Sequence, residues 1–258
     1  MISKRMAWEK NWLLQHGWSW TEVEELASDE RKVMPVEYLT RQAAFLDFEL
    51  KVDKSTLIPR IETEELVRLT VNKIAAKKLN ERGVWILEIG TGSGAVAIGL
   101  ARELQKRNVC SRIVATDVSR QALQVAAENV ERFNLQNQIE LRRANLLSSD
   151  LIKDLEMKEK EWVIVANLPY IPTGRKKQLP KSVIDFEPAT ALFAGTDGLR
   201  MIRKMLNSVI RQRLITELIF LEIDEFHTQN DFEKWPQFHW TICKDWNQKN
   251  RYAIGERQ

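Results

Sequence analysis

A chain of 258 residues has room for one large α/β domain, or for one with a small appendage; its 44% apolar residues supply a core and its 29% charged residues a soluble surface. The net charge of +3 (39 basic against 36 acidic residues) does not announce nonspecific binding to nucleic acid. Two cysteines without metal spacing (Cys110 and Cys243), three scattered histidines (His16, His227 and His239) and no apolar run approaching about 18 residues argue against a metal centre, a signal peptide and a membrane span, and fit a reducing cytoplasm.

Residues 1–44 read as a separate small helical domain. Trp8, Trp12 and Leu13, then Val23 and Leu26, recur at helical intervals; Gly17 interrupts them, and Thr21 is placed to cap the second helix. Four tryptophans, Trp8, Trp12, Trp18 and Trp20, fall in this stretch, either as the packing of a small bundle or as a recognition platform. Residues 35–44 read as one more short helix. Alternation at Phe48, Leu50 and Val52 predicts a strand over 45–52, half of a hairpin, with 45–56 linking to a domain over 57–258. Thr63 is then placed to cap a helix with an acidic first turn, whose buried stripe is Leu66, Val67, Val71 and Ile74.

Residues 84–101 organise the rest. An apolar strand, Val84–Ile89, carries the acid Glu88, breaks into Gly90-Thr91-Gly92-Ser93-Gly94, and resumes as a small-residue helix through Ala97, Leu100 and Ala101. Glycines let a ligand approach the backbone, and the first N–H groups of a helix favour acceptor atoms. The third glycine comes one residue earlier than in the dinucleotide-binding G-x-G-x-x-G. A carboxylate two residues before the first glycine would repel a pyrophosphate, but suits a ligand carrying an ammonium and a sulfonium. A tight turn without ligand is the alternative.

The βα rhythm continues with a strand over 113–116 that ends at Asp117, placed to accept the hydroxyls of a ribose, and a helix from Ser119 to about Phe133. Strands follow at 139–142, before Ala144-Asn145-Leu146-Leu147, and at Trp162–Ala166, before Asn167-Leu168-Pro169-Tyr170. A helix over 201–210, a strand over 218–223 and an antiparallel pair around Trp240 and Ile254 close the chain. The predicted fold is α/β: a doubly wound, mostly parallel sheet with an antiparallel edge.

The loop E-x-G-x-G-x-G resembles that of class I S-adenosylmethionine (AdoMet) methyltransferases, whose fold is Rossmann-like. Asn167 to Tyr170 resemble the [N/D/S]-P-P-[Y/F] signature of those that methylate planar nitrogens, with Leu168 in place of the first proline. An amide nitrogen is a poor nucleophile, its lone pair being delocalised. An Asn side-chain oxygen and the next backbone carbonyl can accept both its hydrogens and pin it against the methyl, so that positioning and electrostatics supply most of the rate. Leu168 keeps that carbonyl but loses the fixed φ of proline. A plain Asn-Pro turn is the competing explanation of the stretch.

Further segments narrow the resemblance to the protein-(glutamine-N5) methyltransferases of class I peptide chain release factors. They are Pro35-Val36-Glu37-Tyr38-Leu39 with Phe45, Leu57-Ile58-Pro59-Arg60 with Glu62-Thr63-Glu64, Asp185-Phe186-Glu187-Pro188 through Gly195-Thr196-Asp197-Gly198-Leu199, and Lys244-Asp245 with 251–255. The resemblance implies AdoMet as cosubstrate, the glutamine of a Gly-Gly-Gln motif as acceptor, a release factor as partner, and a cytoplasmic monomer without metal. Glu88, Gly90, Thr91, Gly92, Ser93, Gly94, Asp117, Asn145, Leu146 and Asn167 are implied to bind the cosubstrate. Asn167, Leu168, Pro169 and Tyr170 are implied to take the glutamine, Tyr170 by stacking, with Arg60 and Glu64 as further substrate contacts; for Arg60, Thr63 and Glu64, helix capping and surface pairing are the alternative. The segment before Leu57 is shorter than the family's helical domain, which binds the release factor. Gly174-Arg175-Lys176-Lys177 is a solvated basic loop or a contact to the protein substrate. An N-methyltransferase of adenine or guanine amines is the competing enzyme class, and a noncatalytic relative the third reading.

Overall fold

The computed structural model describes residues 6–26, 33–79, 83–157 and 160–258. Near the N-terminus, α1 (Ala7–Gln15) and α2 (Trp20–Glu25) pack with α3 (Val36–Thr40) around Leu13, Val23, Leu26 and Val36. Ser19, not Thr21, caps α2: its Oγ accepts from the Glu22 amide at 3.3 Å, and the Glu22 carboxylate accepts from the Ser19 amide at 2.8 Å. Two of the four tryptophans serve the packing of the small bundle. Trp12 and Trp18 pack on the small core, and the Trp12 indole donates to Thr40 Oγ1 at 3.0 Å, whereas Trp8 and Trp20 are half-exposed to solvent. Of the expected 1–44 unit, residues 1–5 and 27–32 lie outside the described residues.

The helix expected over 35–44 ends at Thr40, because Arg41 turns left-handed (φ 58°) and the chain enters β1 (Gln42–Phe45). Strand β1 pairs antiparallel with β2 (Phe48–Lys51), so the hairpin begins at Gln42 and a boundary after residue 44 would cut its first strand. The pattern that misled is period two: Ala43 and Phe45 point into the core with a solvent-facing residue between them, as in a half-buried strand.

Five parallel strands, β3 (Val84–Ile89), β4 (Ser111–Asp117), β5 (Ile139–Arg143), β6 (Trp162–Ala166) and β7 (Thr216–Glu222), continue into the antiparallel β8 (Phe238–Lys244) and β9 (Asn250–Arg257) in the order β5-β4-β3-β6-β7-β9-β8. The sheet is doubly wound and mostly parallel, as expected. Its central strands are largely apolar because both faces are covered, with the acids Glu88 and Glu222 as buried exceptions. Alternate residues such as Ile86, Val163 and Phe220 meet α4 (Ile61–Ala76) and α5 (Ala95–Lys106) on one face. Their neighbours Leu87, Ile164 and Leu221 meet α7 (Ser149–Asp154) and the helix Arg200–Arg211 on the other. The helix after β4, α6 (Arg120–Arg132), holds the hairpin: Asn129 accepts from the Lys51 amide at 2.7 Å and donates to the carbonyls of Lys51 at 2.9 Å and Ser93 at 2.8 Å. No described helix is long and apolar enough to cross a membrane.

Candidate active site

Strand order reverses at β3, whose neighbours are β4 and β6, and a crevice opens beyond the carboxyl ends of these three strands. A cavity of about 530 Å3 lies there. The turn after β3 forms its floor. The amides of Gly90 and Thr91 both donate to the Thr116 carbonyl, at 2.8 and 2.9 Å, tying the turn to β4, and Gly94 is the N-cap of α5. Gly90 has φ 83°, and a Cβ there would lie 3.2 Å from Leu168 Cδ2, so only glycine combines this backbone with this contact.

Glu88 lies beneath the turn, 2% exposed, its Oε2 accepting from Thr91 Oγ1 at 2.7 Å. Burial pushes its carboxyl up to about 7, against the opposing hydrogen bonds from Thr91 and the Ala97 amide. At the end of β4, Asp117 accepts from the Gly92 amide at 3.0 Å and the Ser119 amide at 2.9 Å, so each carboxylate oxygen is fixed in direction and keeps acceptor capacity. Beyond β5, Asn145 and Leu146 reach the cavity wall, Leu146 in a left-handed backbone (φ 52°) uncommon for a branched residue. Val118 and Met201 add apolar lining.

At the end of β6, Asn167, Leu168 and Pro169 line the same cavity, so the two decisive stretches of sequence meet. Asn167 Nδ2 donates to Thr63 Oγ1 at 2.9 Å, and that hydroxyl donates to Glu222 Oε2 at 2.8 Å. Tyr170 does not line the cavity; its hydroxyl donates to Glu222 Oε1 at 2.8 Å. The Tyr170 carbonyl in turn rests on Gly198 (φ 77°), where a Cβ would come within 2.0 Å of it.

Tyr170 is thus not placed to stack on a substrate in the cavity, and four further expected residues, Thr63, Glu64, Arg60 and Gly94, lie elsewhere or act differently. Thr63 is not a cap: α4 starts after Arg60, and Thr63 is a buried residue of its first turn whose side chain faces the cavity. Glu64 points to the hairpin, accepting from the Leu46 amide and from Arg68, both at 2.9 Å. Arg60 pairs with the buried Glu187, joining the start of α4 to the segment before the short helix Ala189–Leu192, and the flanking Pro59 and Pro188 line the cavity. Gly94 completes the turn without reaching the lining. In the basic loop, Arg175 is engaged by Asp224 (2.8 and 2.7 Å), while Lys176 and Lys177 face solvent. Sequence reasoning missed Glu222. The signal was present: an acid inside the apolar run Leu218 to Ile223, as Glu88 stands within its own strand.

Comparison with known proteins matches residues 68–170 to the family described as "Ribosomal protein L11 methyltransferase (PrmA)". A release factor glutamine methyltransferase of Rhodopirellula baltica is 36% identical over 199 residues, covering 75% of this chain and 64% of its own length. One of Flavobacterium psychrophilum is 31% identical over 215 residues, covering 82% of this chain and 71% of its own. The chain belongs to the release factor glutamine methyltransferase family. As with the Rhodopirellula protein, it spans slightly less than two thirds of several of the family members it matches, including that of Lactococcus lactis at 63%. The family's fold extends further: the N-terminal domain of human METTL16 superposes with a TM-score of 0.59 at 13% identity, covering 97% of this chain and 92% of that one. The same domain in complex with SAH gives 0.55 at 14%, covering 80% and 75%. These likenesses show a class I methyltransferase fold.

Proposed function

We propose that the protein transfers the methyl group of AdoMet to the side-chain amide nitrogen of the glutamine in the Gly-Gly-Gln motif of class I release factors, in the cytoplasm. The observation that carries this reading is that Asn167 and Leu168 share one cavity with the glycine turn and Asp117. The cavity suits a nucleoside-bearing cosubstrate in size and donor set. Its volume lies within the usual range for small-ligand sites of roughly 300–1,000 Å3. The backbone is bare at Gly90, Asp117 offers a fixed carboxylate, Leu146, Val118 and Met201 offer apolar walls, and Glu88 a buried acid near a cationic ligand.

In this reading Gly90, Thr91, Gly92 and Ser93 flank the methionine moiety, Asp117 holds the ribose, and Asn145 and Leu146 border the adenine. The bound cosubstrate supplies an electrophilic methyl on a sulfonium. The side-chain oxygen of Asn167 and the carbonyl of Leu168 accept the two hydrogens of the glutamine amide, which fixes the nitrogen for in-line attack and favours its pyramidal form. As the N–C bond forms, the methyl–sulfur bond breaks with its electron pair left on sulfur as a neutral thioether, and the surplus proton of the nitrogen leaves to water. Leu168 keeps its aim without proline because it is 4% exposed and packed on Gly90. The helices before residue 45 are read as a docking segment for the release factor, with Trp8 and Trp20 on their surface.

The test is incubation of the purified protein with methyl-labelled AdoMet, a class I release factor and total RNA in one reaction. Label in the release factor at its Gly-Gly-Gln glutamine is the expected result. Label in RNA alone would establish an exocyclic-amine methyltransferase instead.

A further inference from the structure

We infer that Glu222 and Thr63 are positioning residues that set the hydrogen-bond polarity of Asn167, and so make the site selective for an acceptor nitrogen that still carries hydrogens. The inference rests on the glutamine reading above.

A terminal carboxamide can face a cavity either way round, and the two ends have opposite chemistry: the oxygen accepts, the NH2 donates. Which end faces the substrate is decided by what holds the other. Here the chain of contacts ends on a carboxyl group. Glu222 is 1% exposed at the end of β7, and both of its oxygens meet a hydroxyl, Tyr170 at 2.8 Å and Thr63 at 2.8 Å. Burial holds the Tyr170 phenol well above its ordinary pKa, so it stays protonated and donates. Burial pushes the Glu222 carboxyl up, and the hydrogen bonds from Thr63 and Tyr170 and the charge of Arg251 oppose that push; as a carboxylate, Glu222 accepts on both sides.

Thr63 has a single hydrogen, spent on Glu222. Toward Asn167 it can only accept, and it does so from Nδ2 at 2.9 Å. Asn167 Oδ1 is therefore left as the acceptor on the cavity wall. A carbonyl or a fully substituted nitrogen presented there would meet lone pairs with nothing to donate; a primary amide has two hydrogens to give. An unpaired buried acceptor costs more than a formed bond gains, which makes this polarity a means of selection.

The experiment uses the full chain. Thr63→Val removes the acceptor for Nδ2 at nearly constant shape; Glu222→Met removes the terminus and frees the Thr63 hydrogen for Oδ1; Thr63→Ser keeps the hydroxyl. With a Gly-Gly-Gln peptide, the first two are expected to lower kcat about 10²-fold with the KM for AdoMet within about threefold, while Thr63→Ser recovers most of the rate. In protein labelled with 15N-asparagine, the Asn167 side-chain NH2 should exchange with water at least about tenfold more slowly than exposed asparagines, and lose that protection in Thr63→Val. Equal turnover in Thr63→Val and Thr63→Ser, or an unprotected Asn167 NH2 in the wild type, would overturn the inference. A wild-type protein inert toward both peptide and release factor removes the glutamine reading, and the exchange measurement still decides the polarity on its own.

Discussion

The Thr63 hydroxyl lies 2.8 Å from Glu222 Oε2, although 159 positions separate the two residues in the chain. Helix α4 and strand β7 are thereby joined directly behind Asn167, and the joint is buried. The site is thus held by hydrogen bonds whose direction matters as much as their length.

Asn167 is expected to matter for turnover more than for binding. Asn167→Ala removes one acceptor and leaves the Leu168 carbonyl, and removing one such group typically costs about 10²–10³ in rate. Methyl transfer to the release-factor glutamine at saturating AdoMet checks this; a near wild-type rate would place the chemistry elsewhere.

Asp117→Ala should weaken AdoMet binding while the protein stays folded. The lost charge-assisted hydrogen bonds are worth about 1.5–3 kcal/mol, roughly ten- to a hundredfold in Kd. Calorimetric titration reads the change, and an unaltered Kd would move the ribose contact to another residue.

Glu88 makes stability and binding respond to pH in opposite directions. Its folded-state pKa of about 7 exceeds the ordinary 4.5, so between these values the folded protein holds a proton that the unfolded chain has released. Its contribution therefore favours folding below about pH 4.5 and is lost as pH rises to about 7. Glu88→Gln should gain stability relative to wild type on going from pH 5 to pH 8, by up to about 3 kcal/mol, seen in denaturant melts at the two values. A cationic cosubstrate favours the ionised acid, so AdoMet affinity of the wild type should rise over the same interval, and that of Glu88→Gln should not.

Gly198→Ala should be severe. A Cβ within 2.0 Å of the Tyr170 carbonyl forces the backbone that carries the substrate loop to move, and φ 77° adds strain for alanine. A loss of at least about 2 kcal/mol is expected in chemical denaturation. The same substitution at Gly174, where nothing lies within 4 Å, is the control and should leave stability within about 0.5 kcal/mol.

What was legible in the sequence was what repeats or stands alone. The strand Val84–Ile89, its glycine turn and Asp117 announce themselves by composition and order, and the cavity contains them as adjacent neighbours. Thr63 was legible only as a residue type: threonine before an acidic turn reads as a cap, yet α4 opens at Ile61, preceded by Pro59 and an Arg60 paired to Glu187. That pairing spans 127 positions and Thr63 to Asn167 spans 104, distances at which no local propensity speaks. Glu64 shows the same limit. Its place in a segment resembling a known family suggested the substrate, whereas the fold turns it toward Leu46.

The clasp at Asn129 has a consequence for where the molecule can be cut. One fully buried amide holds both Lys51 of the hairpin and Ser93 of the glycine turn. A fragment beginning at residue 57, where the sequence reading starts the main domain, would leave that amide facing an empty seat and would remove Phe45 and Leu50, baring the part of the main core that they cover. The smallest autonomous piece starts ahead of Gln42, and the hairpin is inherited with the sheet rather than with the helices that precede it.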